Sequence, residues 1–229
     1  GTVKHMLGLK CIHDIVVNAM EYLHIDVPVA LHLDHGTSRE ACEAAIAAGF
    51  SSIMFDGSHL PFRENLAITR HLVTLAHSKG ISVEAELGTI AGSEDGIVNS
   101  EVIYADPQEC YTLVTETQVD CLAAALGSTH GLYKGKARLG FTEMKAIAEQ
   151  VKVPLVLHGG TGVSDEDMRL AVTEGINKVN VGTEMNVQWV DRCKSTFEKG
   201  KVNDSVRKFL IPANQAVTAV LMEKMALFK

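Results

Sequence analysis

With 229 residues, 46% of them hydrophobic, the chain has enough apolar side chains to fill the core of one large domain. Its 21 basic residues against 28 acidic ones, a formal charge of −7, leave none of the positive excess that nucleic acid or an anionic membrane surface demands, so the expected partner is a small molecule. Five widely separated cysteines (Cys11, Cys42, Cys110, Cys121, Cys193) without a C-x-x-C pair, together with the lack of a basic-then-apolar leader or a bilayer-length apolar run, point to a reducing, cytoplasmic setting.

The chain opens on a loop, "GTVKH", and one helix from about Leu9 to Leu23. Six short apolar runs then follow, each closing on polar residues or glycine: "VPVALHLDH" from Val27, "SSIMFDGS" from Ser51, "ISVEAELG" from Ile81, "DCLAAALGSTHG" from Asp120, "VPLVLHGG" from Val153 and "KVNVGTE" from Lys178. Amphipathic stretches separate most of them. Residues 37–49 are the clearest, with a capping-box pattern of Thr37 and Glu40 at the start and Gly49 at the stop. Another begins at Ser164, with Asp165, Glu166 and Asp167 in its first turn, and ends before Gly175. A helical tail over about 204–228 places Phe209, Leu210, Val217, Val220, Leu221 and Leu227 for packing.

Strands alternating with helices predict parallel βαβ units, hence an α/β fold formed as a single domain over 1–229. The closed solution is an eight-unit barrel of about 250 residues, and the competing one is an open doubly wound sheet. Only six units are visible, so either two N-terminal units are absent or the sheet is open.

In a parallel sheet the carboxyl ends of all strands share one rim, which is where α/β sites lie. The ends here carry Asp34 and His35, then Asp56, Glu84 and Glu86, Thr129 and His130, His158, and Asn180 with Glu184. Taken singly, each histidine reads as a hydrogen-bonded residue at the core edge. Three from three strands, however, are what a catalytic zinc requires, with a fourth position left open. Strand alternation complicates "LHLDHG": His32 and Asp34 face opposite to His35, unless the chain turns at the strand end. His32 is accordingly read as structural. The glycine-rich tips "HGGTG" and "NVGTE" suit either tight turns or a phosphate site, and the insertion "GTIAGSEDG" suits either a solvated loop or a mobile lid bearing a base.

The stretches "LHLDHG", "MFDGSHLPFRENL", "SVEAELGTIAGSEDG", "GSTHGLYKGKARLGF", "PLVLHGGTGVSDEDM" and "KVNVGTE" resemble, in order and over nearly the whole chain, the class II zinc-dependent fructose-bisphosphate and tagatose-bisphosphate aldolases. The resemblance implies a (β/α)8 TIM barrel whose first two strand-helix units are missing from this chain. It also implies Zn2+ and reversible cleavage of a ketose bisphosphate to dihydroxyacetone phosphate and glyceraldehyde 3-phosphate. By motif, His35, His130 and His158 match the zinc ligands, with Asp56 and Glu86 as alternate outer metal positions. Asp34 matches the proton donor to the aldehyde, Glu94 the mobile-loop carboxylate, and Asn180 the enediolate-contacting asparagine. Phosphate binding falls on Gly131, Gly159, Gly160, Thr161, Asn180, Val181, Gly182 and Thr183, beside a monovalent Na+ or K+. Relatives are homodimers or homotetramers. Asn214 stands where relatives carry an arginine for the far phosphate, with Arg207 as a substitute, which leaves fructose against tagatose open. Two other readings compete: a metal-dependent hydrolase using the same rim, and a non-catalytic aldolase-like binding subunit.

Overall fold

The structure, a computed structural model, describes residues 8–94, 97–99, 103–131, 137–200 and 205–228; for 91, 93, 94 and 97–99 the backbone alone is described. The elements in chain order are α1 (Leu9–Tyr22), β1 (His32–Gly36), α2 (Arg39–Ala48), β2 (Ser52–Phe55), α3 (Phe62–His77), β3 (Ser82–Leu87), β4 (Ala91–Glu94), β5 (Ile97–Asn99) and α4 (Pro107–Thr117). They continue as β6 (Cys121–Ala124), β7 (Thr129–His130), α5 (Phe141–Gln150), β8 (Leu155–Leu157), α6 (Asp165–Thr173), β9 (Ile176–Val179), α7 (Thr183–Lys199) and α8 (Val206–Leu227).

Each of the six apolar runs contributes one strand to the main sheet, the last starting at Ile176, slightly earlier than its motif, and the run from Asp120 also supplies β7. All six pair in parallel in the order β1-β2-β3-β6-β8-β9. Strands that follow chain order without reversing exclude a doubly wound sheet and give a parallel half-barrel. The helices form one layer, since α1 meets α2, α2 meets α3, α3 meets α4, α4 meets α5 and α5 meets α6.

Alternation sorts the strand side chains. Outward-facing Ile53 and Phe55, Val83 and Ala85, Leu122 and Ala124, and Leu155 and Leu157 join Leu72, Leu113, Met144 and Ile147 of the helices in one buried core. Burying each large aliphatic side chain contributes about 1.5–3 kcal/mol before conformational entropy is counted. The inner face carries only a small apolar cluster, Met54, Ala123 and Val156. The rest of that face is polar, with Glu84, Glu86, His158, Lys178 and Asn180 at the alternate positions.

Two local expectations are corrected. α2 is capped by Ser38 rather than Thr37, because Ser38 Oγ accepts from Ala41 N at 3.2 Å. The C-terminal stop is as expected, with Gly49 in the left-handed region at φ 94°. The "GTIAGSEDG" insertion is not simply a loop: it contains β4, which pairs antiparallel with β5 and parallel with β7 in a second, three-stranded sheet. Such short, glycine- and serine-containing strands have no periodicity to announce them. The tail forms α8, which packs on α7 and buries Phe209, Ala213 and Val220, while Leu210 and Leu221 stay exposed. Among the described residues no helix is long and apolar enough to cross a membrane, and all five cysteines are free.

Candidate metal centre and active site

A break in β1 builds the site. Its pairing with β2 runs Leu33 to Ile53 and then Gly36 to Phe55, three steps against two, and His35 takes a left-handed φ of 47°. This bulge turns His35 to the inner face beside Asp34 and His32. The expectation that His32 lies on the opposite side from His35 is therefore wrong: His32 and Asp34 both line the inner cavity, and His35 joins His130 and His158 in a group able to hold a metal ion. Gly36 permits the bend, since a Cβ there would lie 2.5 Å from both Cys42 Sγ and Met54 O.

His130 arrives on β7 and His158 follows β8. The three rings meet edge to face or tilted, with centroids 5.1, 4.7 and 5.8 Å apart, and one nitrogen from each lies within 4.8 Å of the others. Carboxylates behind two of them set the tautomers. His35 Nδ1 donates to Asp56 Oδ2 at 2.9 Å, and His158 Nε2 donates to Glu84 Oε1 at 2.9 Å. In neutral rings the other nitrogens, His35 Nε2 and His158 Nδ1, then carry lone pairs, and they lie 2.9 Å apart. Two acceptors facing each other at that distance call for a shared cation, so the donor set fits a divalent metal with an affinity for imidazole. A second group, His35 with Asp56 and Glu86, meets the same distance criterion.

Burial alone would raise the pKa of Asp56, but hydrogen bonds from His35 and Ser58 prevail and hold it down to about 2. Glu84 follows the same logic: burial opposes its ionisation, yet His158 and then Lys178 hold it at about 2. Asp34, exposed at the rim, accepts from Asn180 Nδ2 at 3.1 and 3.2 Å, and that amide nitrogen lies 3.4 Å from His158 Nδ1.

A cavity of about 830 Å³ sits over these groups, within the range of small-molecule sites. Gly131, Gly159, Thr161, Asn180, Val181, Gly182 and Thr183 all line it, beside Asp34, His130 and His158. Gly160 stands behind: it is buried, and its N–H donates to Asn180 O at 3.1 Å. Gly182 caps α7, so the positive end of that helix begins at the cavity wall, where Gly182 and Thr183 stand, which suits an anion. Thr161 Oγ1 accepts from Glu184 N at 3.1 Å, tying the two glycine-rich tips together. The backbone of Glu94 ends β4, and its side chain lies outside the described set. Neither Asn214 nor Arg207 lines the cavity; Asn214 Oδ1 instead accepts from Trp189 Nε1 at 3.0 Å.

The family model described as fructose-bisphosphate aldolase class-II matches residues 1–229. The chain belongs to the class II fructose-bisphosphate aldolases. It is 47% identical over 228 residues to the fructose-bisphosphate aldolase of Geobacillus stearothermophilus, which covers all of this chain and 79% of the relative. It is 46% identical to that of Staphylococcus aureus strain Mu50, over 80% of its length. Among solved structures, the YdjI aldolase from Escherichia coli K12 superposes with a TM-score of 0.82 at 33% identity, over 96% of this chain and 76% of that one. Fructose-bisphosphate aldolase from Campylobacter jejuni shares the fold, with a TM-score of 0.74 at 23% identity. As an aldolase the chain is a carbon–carbon lyase acting on a sugar phosphate.

Sequence reasoning read His32 as structural, named Glu84 at a strand end without giving it a role, and passed over Lys178, although His32 and Lys178 line the cavity and Glu84 holds His158. The signal was available, because His32 and Asp34, and Glu84 and Glu86, are pairs two apart on one strand and must share a face, and Lys178 on β9 stands two before Asn180, which directly follows that strand.

Proposed function

We propose that this site reversibly cleaves fructose 1,6-bisphosphate to dihydroxyacetone phosphate and glyceraldehyde 3-phosphate, with tagatose bisphosphate as the epimeric alternative, and that His35, His130 and His158 hold Zn2+. The carrying observation is the convergence of three imidazoles, two of them with lone pairs facing at 2.9 Å, on the wall of a cavity rimmed by glycine-rich turns. Zinc bound there supplies a Lewis acid that polarises the ketose carbonyl and acidifies the neighbouring C–H.

The chain's own groups do the rest. Asp34, steered by the Asn180 amide, takes the C4 hydroxyl proton in cleavage and returns it to the aldehyde oxygen in condensation. Asn180 also donates to the substrate oxygens beside the metal ligands. Glu94 moves the proton on the dihydroxyacetone carbon, from a hairpin whose first strand is fastened to the His130 strand through Gly92 and His130. Gly131, Gly159, Thr161, Val181, Gly182 and Thr183 bind a phosphate through backbone amides and hydroxyls, with Gly160 bracing Asn180 from behind and Na+ or K+ among the turn carbonyls. Asp56 and Glu86 give the metal a second resting place with His35.

Six strands in chain order and coverage of 79% of a relative's length support a (β/α)8 barrel completed by two units outside this sequence. The free cysteines support a cytoplasmic enzyme. We assign it a homodimeric or homotetrameric state, to be checked by light scattering. The hydrolase and binding-subunit readings gain no observation of their own.

The test is turnover of fructose and tagatose bisphosphates by purified protein before chelation, after it, and after zinc is restored. Loss and recovery are expected, with the higher kcat/KM for fructose bisphosphate. Activity surviving exhaustive chelation, or trapping of a lysine adduct by borohydride, overturns the assignment.

A further inference from the structure

Beneath the metal ligands, on the inner face, a polar chain leads from His158 to the cavity wall. Glu84 on β3 is fully buried, and its two oxygens have separate duties. Oε1 accepts from His158 Nε2 at 2.9 Å, and Oε2 accepts from Lys178 Nζ at 2.8 Å. Cys121 Sγ lies 3.6 Å and His32 Nε2 3.7 Å from that same Oε2. His32 is itself held through Nδ1 by Ser52 Oγ at 2.8 Å.

A buried carboxylate without a compensating cation is strongly disfavoured, whereas a paired and hydrogen-bonded one is tolerated. Lys178 supplies that cation. It sits two residues before Asn180 on β9, so strand alternation brings it to the face that carries Asn180, and its side chain is 36% exposed in the cavity. The carboxylate it anchors is the one that keeps the proton on His158 Nε2 and leaves Nδ1 to face the metal. Neither residue is a zinc ligand in the cluster.

We infer that Glu84 and Lys178 form a positioning pair that sets the zinc affinity of His158, Lys178 acting only through Glu84. The inference rests on the zinc assignment above. Its mechanism is orientation: with Oε2 fixed by Lys178, Oε1 stays in line with His158 Nε2, and the imidazole is held in one tautomer and one rotamer. Such outer partners of a metal-bound histidine typically alter affinity by about 10–100-fold.

A double-mutant cycle on zinc affinity, measured by competition with a chromogenic chelator and by the visible absorption of the cobalt-loaded protein, tests the pair. Glu84→Gln and Lys178→Met are each expected to weaken zinc binding within that range of about 10–100-fold. Adding Lys178→Met to Glu84→Gln should then weaken it no further, since the lysine has lost the group it acts through. Lys178→Arg, which keeps the charge, should bind zinc as wild type does. Circular dichroism establishes that each variant is folded, and Lys178→Arg against wild type carries the test if the methionine variant is not. A loss from Lys178→Met that is equal in both backgrounds, no loss at all, or an arginine variant as weak as the methionine one overturns the pair. A wild-type protein that takes up no zinc overturns instead the assignment on which it rests.

Discussion

Gly159 follows His158 directly and adopts a φ of +67°, and a Cβ built on it would collide with the backbone of Thr129, overlapping its carbonyl oxygen and lying 2.8 Å from its carbonyl carbon. Thr129 precedes His130, a proposed metal ligand, on β7, so Gly159→Ala drives that residue away from His158, another proposed ligand. Two costs add: about 1–2 kcal/mol for a non-glycine residue in the left-handed region, and about 1–3 kcal/mol for overpacking against backbone that cannot rotate aside. The sum is about 2–5 kcal/mol, read as a lowered urea midpoint at unchanged slope. Gly80→Ala is the control, because Gly80 has a φ of +69° with nothing within 4 Å of its Cβ, and so incurs only the first cost. A displacement near 1 Å at His130 should also cut kcat/KM by about 100-fold. Equal destabilisation of the two variants, or a Gly159→Ala enzyme with wild-type zinc content and turnover, refutes the reasoning.

Asp34→Asn retains the hydrogen-bonding shape but cannot take a proton, so kcat should fall by about 100- to 10,000-fold while bound zinc, counted by atomic absorption, stays at the wild-type level. Burial, reinforced by nearby carboxylates, pushes the Cys42 and Cys110 thiols up to about 12. Both therefore stay protonated at pH 8, and mass spectrometry after iodoacetamide treatment should find them unmodified in the folded protein and alkylated once urea is added. Leu113→Ala empties a fully buried position between α4 and the sheet and should cost about 2–5 kcal/mol by urea titration, with no change in zinc bound per folded molecule.

The half-barrel was legible because short apolar runs ending in polar residues alternate with amphipathic helices, the pattern of parallel βαβ units. The same regularity misled at β1. Alternation assigns His35 to the helix side, and nothing in "LHLDHG" announces a left-handed histidine; the bulge shows only in the register of β1 against β2. The three-stranded sheet was missed because β7 is only two residues long and derives its order from pairing with β4. Lys178 escaped notice because an isolated lysine in a strand motif reads as a surface residue, and its buried partner is 94 positions away.

A regular strand offers a cavity every second side chain, so a one-residue irregularity is the smallest device by which two neighbours in sequence serve one reaction. In β1 those neighbours are the proposed acid and a proposed metal ligand, fastened to the same turn of backbone. Restoring ideal pairing with β2 would swing one of them toward the helices and silence the other's chemistry. Substitutions that tidy this strand should thus be selected against even where they strengthen the sheet, and a designer copying the site onto another barrel must transplant the flaw along with the residues.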